Sequence, residues 1–133
     1  MSIKLSVAVR NARLDAIETT VGTGAIVKIW SGAPPAACAD ANSGTELVSF
    51  TLASDWAGAA SSGSKAFSGV PLTVSASATG VAGHYRVYAS DGTTCHAQGT
   101  VATAGGDMSI DNTSISLGQD VNITSWSITD GNG

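Results

Sequence analysis

Charged side chains are what this chain has least of. They make up 12% of its 133 residues, about half the ~25% of an ordinary globular protein. Its surface must therefore be largely small and neutral. Such a surface costs little to bury against copies of itself, because few ions lose their water. Fixed positive charge is scarcer still. Beyond Lys65 the only Lys or Arg is Arg86, set against Asp91, Asp107, Asp111, Asp120 and Asp130. With no basic stripe to neutralise phosphates, the composition argues against nucleic acid as a partner. Long apolar runs are missing as well. Nothing approaches the ~20 residues of a membrane-spanning helix, so no membrane is expected. The opening MSIKLSVAVRNARLDAIE interleaves charged and apolar residues and lacks the apolar stretch of a secretory signal, which places synthesis and first folding in the cytoplasm.

The residues that carry chemistry are equally few. There are two histidines, His84 and His96, and two cysteines, Cys38 and Cys95. His96 follows Cys95 directly, and neighbouring strand residues point to opposite faces, so they make a poor dyad. The histidines flank a predicted Asp91-Gly92 hairpin and are expected to face each other across it. A zinc site drawn from all four lacks the close Cys-x-x-Cys or His-x-x-x-His pairs that such sites use. Spacing leaves a Cys38–Cys95 disulfide and two free thiols both open, with cytosolic synthesis favouring thiols at first. No Gly-x-Ser-x-Gly elbow occurs, and Gly22-Thr23-Gly24 lacks the Lys-Ser/Thr of a phosphate loop. The aspartates match no calcium loop and read as turn residues. The expectation is a protein without enzymatic activity, cofactor or metal.

What is present changes texture near Gly22. Before it, Leu14, Ile17 and Val21 recur at i, i+3, i+7, with Val7 one heptad before Leu14, and Arg10, Arg13 and Glu18 lie off that stripe. This predicts an amphipathic helix over about Ile3 to Thr20, with Ser2 as N-cap and Gly22 as its stop. Its apolar face (Val7, Leu14, Ile17, Val21) is read either as cover for one end of the body or as a contact for another subunit. After Gly22, short alternating segments are separated by Gly, Pro, Asn and Asp. Strands are expected at Ala25–Trp30, Glu46–Leu52, Leu72–Ala78 after Pro71, His84–Ala89, Thr94–Thr100 and Met108–Ile110. TSISL and VNITSWSIT form a last pair. The stretch ASDWAGAASSGSKAFSG reads as a long mobile loop. Trp30, Trp56 and Trp126 read as structural anchors rather than sugar-stacking platforms. The apolar share of 43% is enough to bury a core. The pattern predicts one structural unit, an N-terminal helix (1–22) before an antiparallel β-sandwich or jelly roll (23–133).

Several of these segments resemble one family across nearly the whole chain. RNARLDAIETTVGTGAIVKIWSGAPPAACADANSGTELVSFTL, GHYRVYASDGTTCHAQGTV, GGDMSIDNTSISLGQDVNITSWSIT and the closing DGNG are similar to small β-rich virion structural proteins of tailed bacteriophages. The resemblance implies a non-enzymatic component of the particle. Among its positions, a decoration or cement protein on the outer capsid surface fits the neutral, self-packing composition best. Its implied partners are the major capsid protein and copies of itself, with a trimer favoured. The alternative is a neck, tail or fibre component, including a receptor- or carbohydrate-binding β module using Trp56 or Trp126.

Overall fold

The computed structural model describes residues 3–69 and 72–130. Ser2, Pro71 and residues 131–133 of the closing DGNG lie outside them, so the Ser2 cap does too. Helix α1 (Val7–Val21) starts at Val7 rather than Ile3, because Ser6 caps it. Ser6 is extended, and its Oγ accepts the Val9 N–H at 3.2 Å. Gly22 ends the helix at φ +85°, and its N–H returns to the Glu18 carbonyl at 2.9 Å.

The strands are β1 (Ile26–Ser31), β2 (Glu46–Thr51), β3 (Ser64–Ala66), β4 (Leu72–Ser75), β5 (Gly80–Tyr88), β6 (Cys95–Ala102), β7 (Met108–Ile110), β8 (Ser114–Ile115) and β9 (Asp120–Thr129). They join in the order β2-β1-β5-β6-β7-β9-β3, with β4 also on β9 and β8 on β5. The protein is mainly β with one N-terminal helix, as expected. Its strands form one curled, mixed sheet resembling a half-barrel, where the sequence suggested an antiparallel sandwich or jelly roll. The parallel pair is β6–β7. The sheet curls far enough for β4 to lie against β2, where the Ser77 N–H donates to the Leu47 carbonyl at 2.8 Å.

Alternation along the strands fills the concave side. Val27, Ile29, Val48, Phe50, Tyr85, Val87, Val101, Ile123 and Trp126 are all buried there, joined by Val21 from the helix. The Asp91-Gly92 hairpin forms between β5 and β6 as predicted. Asp91 holds the turn, its Oδ1 accepting the Thr93 and Thr94 N–H groups at 2.8 and 2.9 Å and its Oδ2 the Thr94 hydroxyl at 2.5 Å.

Three expectations need correction. The strand expected at His84–Ala89 starts earlier, at Gly80, so that Gly80 and Gly83 lie inside β5. There Gly83 is required by a close crossing, since a Cβ on it would sit 2.1 Å from the Gly32 carbonyl oxygen. TSISL does not pair with the following strand. β8 instead pairs with the start of β5, and β9 pairs with β3, β4 and β7. The stretch expected to be a mobile loop contains β3, a tight turn with Ser62 at φ +52° and Gly63 at +73°, and a bridge between Ala57 and Phe67.

Candidate functional site

Two assemblies of polar side chains stand out from the neutral background. The first lies on the convex side of β1, β5 and β6, beneath the β1–β2 connection (residues 32–45). Ladder register places Arg86 opposite Lys28 on one side and Gln98 on the other. Lys28 points its charge to Glu46 at 2.9 Å and lies 5.3 Å from the Tyr88 ring centre. Arg86 is 1% exposed, yet among the described residues no carboxylate forms an ion pair with it. Its guanidinium is instead surrounded by neutral acceptors. Nε donates to Gln98 Oε1 at 3.2 Å and Nη1 to Asn42 Oδ1 at 2.6 Å. Nη2 reaches the carbonyls of Ala37, Cys38 and Asp40 at 3.0, 3.0 and 3.1 Å. Asn42 Oδ1 also accepts the Tyr88 hydroxyl at 2.6 Å, and Gln98 Nε2 donates to the Pro35 carbonyl at 2.6 Å. A long irregular connection is thereby fastened to the sheet by one buried cation. Carbonyl dipoles replace the water that the charge has lost.

Beside it, His84 is fully buried. Its Nδ1 lies 2.8 Å from the Gly32 carbonyl, and its ring stacks on Trp30 with centroids 6.5 Å apart. Its Nε2 is buried without a partner. The two histidines do not face each other. His84 pairs with Thr100, and a bulge in the β5–β6 ladder displaces exposed His96 toward the helix. There His96 lines a groove of about 220 Å³ with Arg13, Ala16, Ile17, Thr20 and Val21. Cys38 and Cys95 are free and half-buried. Burial first, and the Cys38 thiol beside it second, push the Cys95 thiol up to about 11. Among the described residues, no three His, Cys, Asp or Glu side chains gather as metal ligands.

The second assembly fixes the helix to the body. Lys65 on β3 is 4% exposed, and its Nζ meets Asp15 and Glu18 at 2.9 Å each and the Gly58 carbonyl at 2.8 Å. Burial, the largest influence, pulls the Lys65 ammonium down, but the two carboxylates outweigh it and the net shift is upward. Asp15 is held below its usual range, first by Lys65 and then by the Ala60 N–H, which donates to it at 2.9 Å. One turn earlier, Asn11 Oδ1 accepts the Gly63 N–H at 2.9 Å. Arg10 donates to the Asp130 carbonyl at 3.1 Å, and Arg13 pairs with the Asp130 carboxylate at 3.2 Å. No reading of the sequence anticipated this clamp, although Asn11, Asp15 and Glu18 stand at i, i+4, i+7 on one side of the helix.

No family model, curated protein or solved structure matches the chain.

The remaining sequence-selected residues separate into buried and exposed groups. Of the helix stripe, Leu14 and Val21 are buried in the chain's own fold and Ile17 packs on its core. Ile17 is partly exposed beside the groove, and Val7 is the most exposed of the four, at 47%. Val9 at 46% and Ile3 at 80% extend this exposed apolar end. Trp56 and Trp126 stack at 5.6 Å inside the core, with Phe67 and Tyr85 packed around Trp126. The Trp126 N–H donates to the Tyr85 hydroxyl at 2.9 Å. Neither indole can serve as a sugar platform, because both faces are covered. Trp30 is half-buried under its own histidine stack.

Proposed function

We propose that the chain is a non-enzymatic structural component of a bacteriophage particle, a decoration or cement protein on the outer capsid surface. It acts there as a homo-oligomer, with a trimer favoured, bound to the major capsid protein. The observation that carries this reading is the split character of α1. Its C-terminal half is fixed to the body by Leu14, Val21 and the Lys65 clamp, while Ile3, Val7 and Val9 project from the other end. A rigid mount with an apolar tip suits a contact between neighbouring capsomers. Burying even a few hundred Å² there stabilises by several kcal/mol, at ~25 cal/mol per Å². The sparse charge supports the same reading, as does the likeness of the segments from Arg10 onward to virion proteins. The contact of β4 with β2 supports a sandwich-like description of the body, which belongs with this reading.

The test is its copy number in purified particles, relative to the major capsid protein. A ratio near one is the expected result. A handful of copies per particle transfers the chain to the neck, tail or fibres, and absence from the particle overturns the proposal. Val7→Asp with Val9→Asp should weaken capsid binding at least about tenfold while leaving the circular dichroism spectrum and melting temperature unchanged. Undiminished binding would remove the helix tip from the contact.

A further inference from the structure

The connection that covers the convex side of the sheet carries Cys38 in its middle, over the strand that Cys95 opens. Cys95 opens β6 and pairs with Tyr88 across the ladder, two residues beyond Arg86. Arg86 in turn binds the carbonyl of Cys38 and those of Ala37 and Asp40 on either side. Asn42 joins the Arg86 and Tyr88 side chains from the same connection. Five hydrogen bonds from Arg86 and Tyr88 thus fix the 37–42 segment over the strand pair that carries Cys95. The Cys38 thiol is brought beside the Cys95 thiol. Both cysteines are half-buried rather than sealed, so a small oxidant reaches them.

We infer that Cys38 and Cys95 form a reversible redox latch, whose disulfide fastens the 32–45 connection covalently to β6 over the buried Arg86 and Tyr88. The reaction is two-electron thiol–disulfide exchange with a small disulfide such as oxidised glutathione. One cysteine thiolate attacks a glutathione sulfur and releases one glutathione thiolate. The second cysteine thiolate then attacks the mixed disulfide, closing the Cys38–Cys95 bond and releasing the other glutathione. Two protons leave the protein and two glutathione thiols are produced. Because the Cys95 thiol is held protonated up to about 11, closure is slow at neutral pH and accelerates as pH rises. In a reducing cytoplasm the latch stays open, and it closes once the protein meets an oxidising medium. It needs no partner and holds in whatever assembly the chain enters.

The full-length chain, reduced and freed of reductant, is incubated with oxidised glutathione at pH 8.5. Intact mass, non-reducing peptide mapping and limited proteolysis are then measured. The expected product is a monomer lighter by two hydrogen masses, with the Cys38 and Cys95 peptides linked. Cleavage within residues 32–45 should be slowed at least about tenfold relative to the reduced chain, and reductant should restore the original rate. Cys38→Ser and Cys95→Ser should each abolish the mass change and the protection. Lasting glutathione adducts on either thiol, disulfide-linked dimers, or two free thiols under conditions that oxidise the unfolded chain would each overturn the pairing. A linked product with unchanged proteolysis would overturn the latch. Both readouts use the wild-type chain, so a variant that fails to fold does not decide the outcome.

Discussion

Arg86 shows how a single residue can organise an irregular segment. All three of its nitrogens donate, and Nη2 alone reaches three carbonyls, those of Ala37, Cys38 and Asp40, in a connection that has no regular structure of its own. Arg86→Ala is expected to lower the unfolding free energy by about 3 kcal/mol, because several buried acceptors lose their donor at once. Amide exchange across residues 32–45 should rise in the same variant, and Arg86→Lys should recover only part of the loss, since an ammonium lacks the planar fork. Unchanged exchange would mean the connection is held by other contacts. Titration provides a second residue-scale check. Asp91 is depressed to about 2 by its bonds to Thr94 and Thr93, from 3.8 ordinarily. Its contribution to stability is present above about pH 4 and is lost as pH falls toward 2. Tyr85 is raised by burial to about 12, from 10 ordinarily, so its contribution is present below pH 10 and lost as pH rises through 12. Melting temperature measured across both windows should fall at each end, and Asp91→Asn should flatten the acid limb alone. Asp91-Gly92 was legible in the sequence because its chemistry is local to four residues. The role of Arg86 was not, because all its partners but Gln98 lie more than forty positions away in a segment without periodicity.

At the scale of the element, the helix is a docked part of the body rather than an appendage. Read alone, its stripe of Val7, Leu14, Ile17 and Val21 left cover and contact as equal uses. The structure divides it, burying the C-terminal half and exposing Val7. Removing residues 1–21 therefore does more than delete a contact. It exposes the apolar surface beneath Leu14 and Val21, each contributing about 2 kcal/mol, and takes from Lys65 both of its carboxylate partners. The truncated chain is expected to lose cooperative thermal unfolding, or to melt far below the full chain, when followed by circular dichroism. An unchanged transition would show that the β body is autonomous. Strand existence was mostly legible, since β1, β2, β5, β6, β7 and β9 carry alternation or turn boundaries in their own residues. β3 was hidden because Ser64, Lys65 and Ala66 have no strand signature. Their conformation is imposed by β9 on one side and by Asp15 and Glu18 on the other.

Across the whole molecule, the proposed latch would close a loop of about 58 residues, for which chain entropy predicts a stabilisation of up to about 4 kcal/mol. Oxidised and reduced melts should then differ by on the order of 10 °C. Strand order was the least legible property, because no residue pattern encodes that β6 pairs with β7 in parallel or that β8 turns away from β9. One consequence of that order concerns the time at which the fold can form. β9 is the last strand in the described chain and is the sheet partner of both β3 and β4. While the chain is being synthesised, those two strands wait with open edges until residues 120–129 have emerged. A ribosome that stalls before Asp120 would release a body with unpaired strands and an uncovered core, the kind of species that aggregates or is degraded. Closure must therefore wait for β9, and with most contacts spanning long stretches of sequence it belongs to the slow, millisecond-to-second class of folding reactions.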